Sequence, residues 1–159
     1  MSCREELSFS AQVQSDAAPL NHLIQAVLEA APHTRCFRDP TRGGLASTLN
    51  ELADQSDVDI VVEEEAVPVK DAVRGACEML GYDPFQVANE GKMVCVVPAD
   101  EAEAALAAMR ANPYGKDAAI IGEVEEAPQD RGPKVYLITP LGTRRILDML
   151  VGEQLPRIC

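Results

Sequence analysis

The chain ends in Pro156-Arg157-Ile158-Cys159, which places a thiol on the final residue of a stretch with no element left to bury it. A cysteine thiolate is a strong nucleophile and can hold an acyl group between two reactions. Pro156 fixes its own φ, offers no donor to a sheet ladder and pushes Leu155 away from helix, so residues 152–156 form an extended approach. If residues 157–159 are also extended, Arg157 and Cys159 point to the same side. The guanidinium then favours thiolate while the terminal carboxylate opposes it. The bland alternative is a frayed end whose thiol does nothing.

Two internal segments carry residue types suited to anion binding and proton transfer. Asp39-Pro40-Thr41-Arg42-Gly43-Gly44 combines cap residues, a proline suited to a first helical turn and two glycines that let backbone approach a ligand. With Arg42 beside a helix N-terminus, this is a cradle for a phosphate or carboxylate. On spacing alone it is equally a plain helix start, with Asp39 or Thr41 as cap and the glycines serving tight packing. Asn89-Glu90-Gly91-Lys92 enters an apolar run at a strand end, where α/β proteins tend to place their sites. Glu90 there is suited to act as a base, and a solvated Glu90-Lys92 pair is the alternative. His33 and Cys36 are the right types for a metal, but two ligands without a second pair are weak evidence, and His22 and His33 otherwise look like surface or partly packed residues. No Ser-His-Asp set, Walker-type loop or His-Glu-x-x-His motif occurs.

The elements that position these residues follow from periodicity. Residues 5–13 alternate as a strand, and Ser15-Asp16 caps a helix with Leu20, Leu23, Ile24, Val27 and Leu28 on one face, ending near Ala31-Pro32. A short strand near 34–38 leads into the glycine turn, and Leu45, Leu49 and Leu52 then recur at helical spacing to about Asp54. Residues 58–62 form a β-branched strand, 69–80 a helix closed by Gly81, and 92–97 an apolar strand buried on both faces. A helix over 100–110 starts with the capping box Asp100/Glu103 and stops at Asn112-Pro113-Tyr114-Gly115. Strands at 118–124 and 134–139 follow, with a short helix over 143–150 before the tail. Strands and helices interleave, which predicts an α/β domain with a mixed sheet covered by helices.

With 159 residues the chain fits one domain that needs neither disulfides nor metal for stability. The 47% hydrophobic and 25% charged content is that of a soluble domain, and no apolar run approaches the roughly 20 residues that span a bilayer. No signal-peptide core follows Met1, so the expected location is the cytoplasm, with no membrane partner. The net charge of -12 disfavours nucleic acid, since the cations form no stripe. Cys3, Cys36, Cys77, Cys95 and Cys159 are odd in number and contain no Cys-x-x-Cys pair, so free thiols are expected, with Cys77 and Cys95 in the core.

The segments Arg38-Asp39-Pro40-Thr41-Arg42-Gly43-Gly44-Leu45, Leu80-Gly81-Tyr82-Asp83-Pro84, Ala88-Asn89-Glu90-Gly91-Lys92, Ile121-Gly122-Glu123-Val124 and Pro156-Arg157-Ile158-Cys159 together resemble the HypE family of hydrogenase maturation factors. The match runs in order through nearly the whole chain and covers the C-terminal half of that family. Residues 1–14 then correspond to the linker and first strand from an N-terminal domain without counterpart here, 15–150 to the synthetase-like domain and 151–159 to a flexible tail. Met1 becomes an internal or artificial start.

The resemblance implies the fold of the C-terminal domain of aminoimidazole ribonucleotide synthetase. It also implies a carbamoyl dehydratase in which the carbamoyltransferase HypF loads a carbamoyl group onto Cys159 and ATP drives its dehydration to a thiocyanate. The cyanide then passes to iron on a HypC-HypD scaffold. By the same resemblance Glu90 is the base, and Thr41, Arg42, Gly43 and Gly44 lie near the nucleotide phosphates or the arriving tail. The missing half would bring most ATP and Mg2+ ligands and the homodimer interface, so the chain alone is expected to bind no cofactor and to be inactive. Two rivals stand beside this reading: a non-catalytic docking module for maturation partners, and the matching domain of another ATP-dependent amide-activating synthetase.

Overall fold

Strand β2 (Val58–Glu63) is where β-branched residues are densest, and it lies inside the larger sheet rather than at its edge. The computed structural model describes residues 16–149, in which a four-stranded sheet runs in the order β4-β2-β5-β6. The expected strand at 5–13, its linker and the tail at 151–159 lie outside the described residues. Strand β4 (Gly122–Glu126) pairs antiparallel with β2, setting Ile60 opposite Val124. Strand β5 (Val135–Ile138) pairs parallel with β2, setting Ile60 beside Val135 and Val62 beside Leu137. Alternation turns these four apolar side chains to one face. Helix α2 (Gly44–Ser56) covers that face with Ala46, Leu49 and Ala53, and Phe85 and Leu147 complete the core. Asn50 ties the helix to the far edge of the sheet by donating from Nδ2 to the Leu147 carbonyl at 2.8 Å.

A second layer is built from β1 (Cys36–Arg38) and β3 (Val94–Val96), an antiparallel ladder of their own, with α1 (Asn21–Ala30) and α4 (Ala102–Ala111). Leu23, Val27, Ala31 and Ala105 are buried together, and Phe37, Met93, Cys95 and Val97 pack against them. Helix α3 (Asp71–Leu80) closes on Gly81 in the left-handed region, as its position predicts, and buries Cys77. The expected α/β domain with a mixed, helix-covered sheet is what forms, with β1 and β3 set apart from it.

Several local expectations fail for identifiable reasons. Residues 144–146 are strand β6, paired antiparallel with β5, rather than the start of a helix. A turn from Thr139 to Thr143, with Gly142 at φ 75°, folds the chain back onto the free edge of β5, and sheet pairing overrides the helical spacing. Helix α4 follows a 3-10 turn at Ala99–Glu101, and no side chain caps it, so the Asp100/Glu103 capping box does not form. Glu101 instead accepts from the His33 backbone N–H at 3.1 Å and contacts His33 Nδ1, an exposed side chain outside any metal site. Helix α1 begins at Asn21 with no side-chain cap, so Asp16 is not its cap. Strand β3 is half-buried rather than enclosed on both faces, because it belongs to a two-stranded ladder.

The face of the larger sheet opposite α2 carries a buried ion pair. Asp59, 2% exposed, accepts from Arg131 through both carboxylate oxygens and from the Lys134 backbone N–H at 2.8 Å. Arg131 and Arg144 each lie over the Tyr136 ring, at 5.6 Å and 4.6 Å from its centre. The Arg131 guanidinium, against the cost of burial and helped by the Lys134 N–H, holds the Asp59 carboxyl below its usual value. A depressed folded-state pKa contributes stability above the unfolded value of about 3.9 and loses it as pH falls through the folded value. Asp59→Asn is therefore expected to cost about 2 kcal/mol at neutral pH. The difference from the parent chain shrinks as pH drops below about 4, measured by urea unfolding across pH. An equal loss at acid and neutral pH contradicts the assignment.

Candidate functional site

The two internal motifs lie far apart in sequence and meet in the fold through their backbones. The loop from Asp39 to Gly43 joins β1 to α2, and the segment from Val87 to Lys92 leads from a 3-10 turn at Pro84–Gln86 to β3. The Asn89 N–H donates to the Pro40 carbonyl at 3.0 Å, and Asn89 Nδ2 donates to the Val87 carbonyl at 2.8 Å. Glycine is required at the contact between the motifs. Gly44 sits at φ 62°, and a Cβ there would lie 2.6 Å from the carbonyl oxygens of both Phe85 and Val87. At Gly43, φ 69°, a Cβ would overlap the Ser47 side chain.

Neither Asp39 nor Thr41 caps α2. Its N-cap is Gly43 in the left-handed region, with no side-chain hydrogen bond. The first-turn amides of α2 thus lack the side-chain partner that a Ser, Thr or Asp cap supplies, and such amides attract anions. Thr41 is half-buried and Arg42 exposed beside them. The glycines do serve tight packing, as the plainer expectation holds, and the close neighbours at Gly44 are protein carbonyls.

Glu90 is exposed at the rim of this junction, and its carboxylate has no ion pair among the described residues. The expected Glu90-Lys92 pair is absent because Lys92 Nζ reaches Asp16 at 3.4 Å. Asp16 also accepts from the Glu90 backbone N–H at 3.1 Å, so one carboxylate clasps both sides of Gly91. A Cβ on Gly91 would overlap the Asp16 carbonyl, which makes this approach specific to glycine. Partial burial opposes ionisation of Asp16, but the Glu90 N–H and Lys92 outweigh it and hold its carboxyl below the ordinary value. Asp16 is a site residue that periodicity missed. It lies 74 residues from Glu90, too far apart for any local pattern to join the two.

The described thiols sit in the packed layers. Cys77 is 1% exposed, and burial, with Asp83 nearby, raises its pKa. Cys95 is pushed up to about 11 by burial, with Cys36 adding to the effect. Cys159 lies outside the described residues. Among the described residues no group of three or more His, Cys, Asp or Glu is placed to hold a metal ion, so no third ligand joins His33 and Cys36 there, and no helix is long and apolar enough to cross a membrane.

Residues 2–133 match the family of AIR synthase related proteins, C-terminal domain. The chain is 54% identical over all 159 residues to the carbamoyl dehydratase HypE of Azotobacter vinelandii, covering 46% of that protein. It superposes on the hydrogenase maturation protein HypE in complex with ATP with a TM-score of 0.89 at 48% identity, over 99% of this chain and 48% of the other. For HypE in a HypE-HypF complex the TM-score is 0.87 at 46% identity, over 94% of this chain and 47% of the other. The chain thus spans about half the length of the proteins it matches. It belongs to the family of AIR synthase related C-terminal domains, and the relatives it resembles there are the HypE hydrogenase maturation proteins.

Proposed function

We propose that this chain is the tail-bearing domain of an ATP-dependent carbamoyl dehydratase that makes cyanide ligands for nickel-iron hydrogenase, with Cys159 as the covalent carrier. The observation that supports this most is the 54% identity along the whole chain to a protein named for that activity. The low acidity of Cys77 and Cys95 adds to it, because thiols held protonated are poor rivals for an acyl group.

A HypF-type carbamoyltransferase loads the tail: the Cys159 sulfur attacks the carbamoyl carbon of a donor activated as a phosphoric anhydride, the S–C bond forms as the C–O bond to the phosphate group breaks, and the thiol proton is lost. The thiocarbamate oxygen then attacks the γ-phosphorus of ATP, and ADP leaves. Glu90 takes a proton from the nitrogen, the C–O bond breaks with release of phosphate, and loss of the second nitrogen proton leaves S–C≡N. In sum, thiocarbamate and ATP give thiocyanate, ADP and phosphate. The cyano group then passes to iron on a HypC-HypD scaffold, the whole cycle taking place in the cytoplasm.

Thr41, Arg42, Gly43 and Gly44 hold the nucleotide phosphates or the arriving tail, which the uncapped first turn of α2 favours. Asp16 and Lys92 keep the backbone of Glu90 in place while leaving its carboxylate exposed to substrate. On this reading Mg2+ and the homodimer interface belong to the other half of the protein. In this reading the one thiol of Cys159 visits loading partner, dehydration site and scaffold in turn.

Incubating the chain with a HypF-type carbamoyltransferase, carbamoyl phosphate and ATP should add about 43 Da at Cys159 by mass spectrometry, and Cys159→Ser should remove the addition. An adduct confined to another cysteine overturns the carrier role, and intact partner binding without any adduct favours the docking module. In the two-domain protein Glu90→Gln is expected to accumulate thiocarbamate and slow thiocyanate formation on the order of a hundredfold or more, with ATP still bound. An unchanged rate takes Glu90 out of the mechanism. The purified chain alone should show no ATP hydrolysis above the buffer rate, and measurable turnover by it contradicts the division of labour between the halves.

A further inference from the structure

An open cleft of about 360 Å³ lies between α3, the Pro84–Gln86 turn and strand β6. Its walls include Arg74 from α3, Arg145 from β6, and Glu64, Tyr82, Asp83 and Phe85. Arg38 pairs with Glu51, Arg131 with Asp59 and Arg144 with Glu125, and Arg110 donates to the Ala118 carbonyl, whereas exposed Arg35 is in no ion pair among the described residues. Neither Arg74 nor Arg145 has an ion pair among the described residues, although the net charge of -12 makes carboxylates plentiful.

Glu64 and Asp83 line the cleft too, so its carboxylates equal its guanidiniums in number, but neither forms an ion pair with Arg74 or Arg145. In β6 the alternation that buries Leu147 turns Arg145 to the same, helix-covered side of the sheet, opposite to Arg144 and its carboxylate partner. Asp83 lines the cleft, but its carboxylate accepts the Phe85 N–H at 2.9 Å and serves as the cap of the turn. Tyr82 is fixed by its N–H bond to the Cys77 carbonyl at 2.9 Å, directly after the left-handed Gly81. The cleft therefore offers cationic donors suited to a planar or tetrahedral oxyanion, an aromatic wall, and a volume within the range of small-ligand sites.

We propose that this cleft binds a small oxyanion-bearing molecule, a carboxylate or phosphate monoester, with the oxyanion held by Arg74 and Arg145 and the body of the ligand against Tyr82. The cleft shares the Pro84–Gln86 turn with the Glu90 junction but none of the residues assigned to the tail chemistry, so its test is independent of the carbamoyl dehydratase reading.

The test is a titration of the chain followed by amide chemical shifts, with inorganic phosphate in one arm and malonate in the other, at ionic strength matched with chloride. Saturable shifts at Gly81, Tyr82 and Arg145 are expected with at least one of the two anions, and the arm that saturates identifies the class. Arg74→Ala and Arg145→Gln should each weaken binding about tenfold or more, while Lys116→Ala, an exposed cation outside the cleft, leaves it unchanged. Both cleft residues are exposed and unpaired, so the variants should retain the parent circular dichroism and unfolding midpoint. Shifts that track ionic strength alone, or binding that survives either cleft substitution, overturn the proposal.

Discussion

The arrangement depends on one close approach, that of the Gly44 backbone to the carbonyls of Phe85 and Val87. Helix α2 is the element that covers the larger sheet, and its first residue is also the floor of the Asp39-Gly44 loop. Because Gly44 has no Cβ, the Pro84–Gln86 turn can press against the helix start, and Phe85 can enter the core beside Leu49 and Leu137. The same contact brings Asn89 within hydrogen-bonding distance of Pro40. Core packing and site geometry therefore share a constraint, and any side chain at position 44 would disturb both. This is a stronger reason for glycine than a need to admit ligand, since protein atoms already occupy the space.

The electrostatics divide the molecule in a similar way. Where a carboxylate is nearly buried, as at Asp59, it is matched by a guanidinium and a backbone donor, which is how a buried charge is tolerated. Where carboxylates lie at the surface they are largely left to solvent, and Glu90 belongs to this group. Asp16 is intermediate: it is partly covered, ionised and used to orient a turn. The exposed acidic surface needs no basic partner to explain it, since mutual repulsion keeps such a domain soluble.

How much of this could be read from the residues alone follows from the range of the interactions. Strands β2 and β5, helices α1 and α2, and the Gly81 stop of α3 rest on local alternation, apolar periodicity or a single backbone requirement, and each is visible within a few neighbours. The motif segments 39–44 and 89–92 stand out by residue type, but their contact through Asn89 and Pro40 does not. Strand β6 was hidden because Ile146 and Leu147 fit a helix as well as a strand until the edge of β5 is present. The Asp100/Glu103 capping box is missing because a 3-10 turn at Ala99–Glu101 takes up Asp100 and α4 begins only at Ala102. Asp16, Asp59 with Arg131, and the paired exposure of Arg74 and Arg145 all involve distant segments, so no window on the sequence reveals them.

The Asp16 clasp also bears on the order in which the molecule assembles. Its bonds to Glu90 and Lys92 join positions 74 and 76 residues apart, and chain entropy charges for closing so wide a loop before any contact rewards it. Local helices and the β5–β6 hairpin face no such barrier. The Glu90 turn should therefore acquire its final shape late in folding, after the sheet and α2 have brought its surroundings together. In a vectorially synthesised chain, the turn around Glu90 would stay unformed until residues well beyond it had emerged and packed.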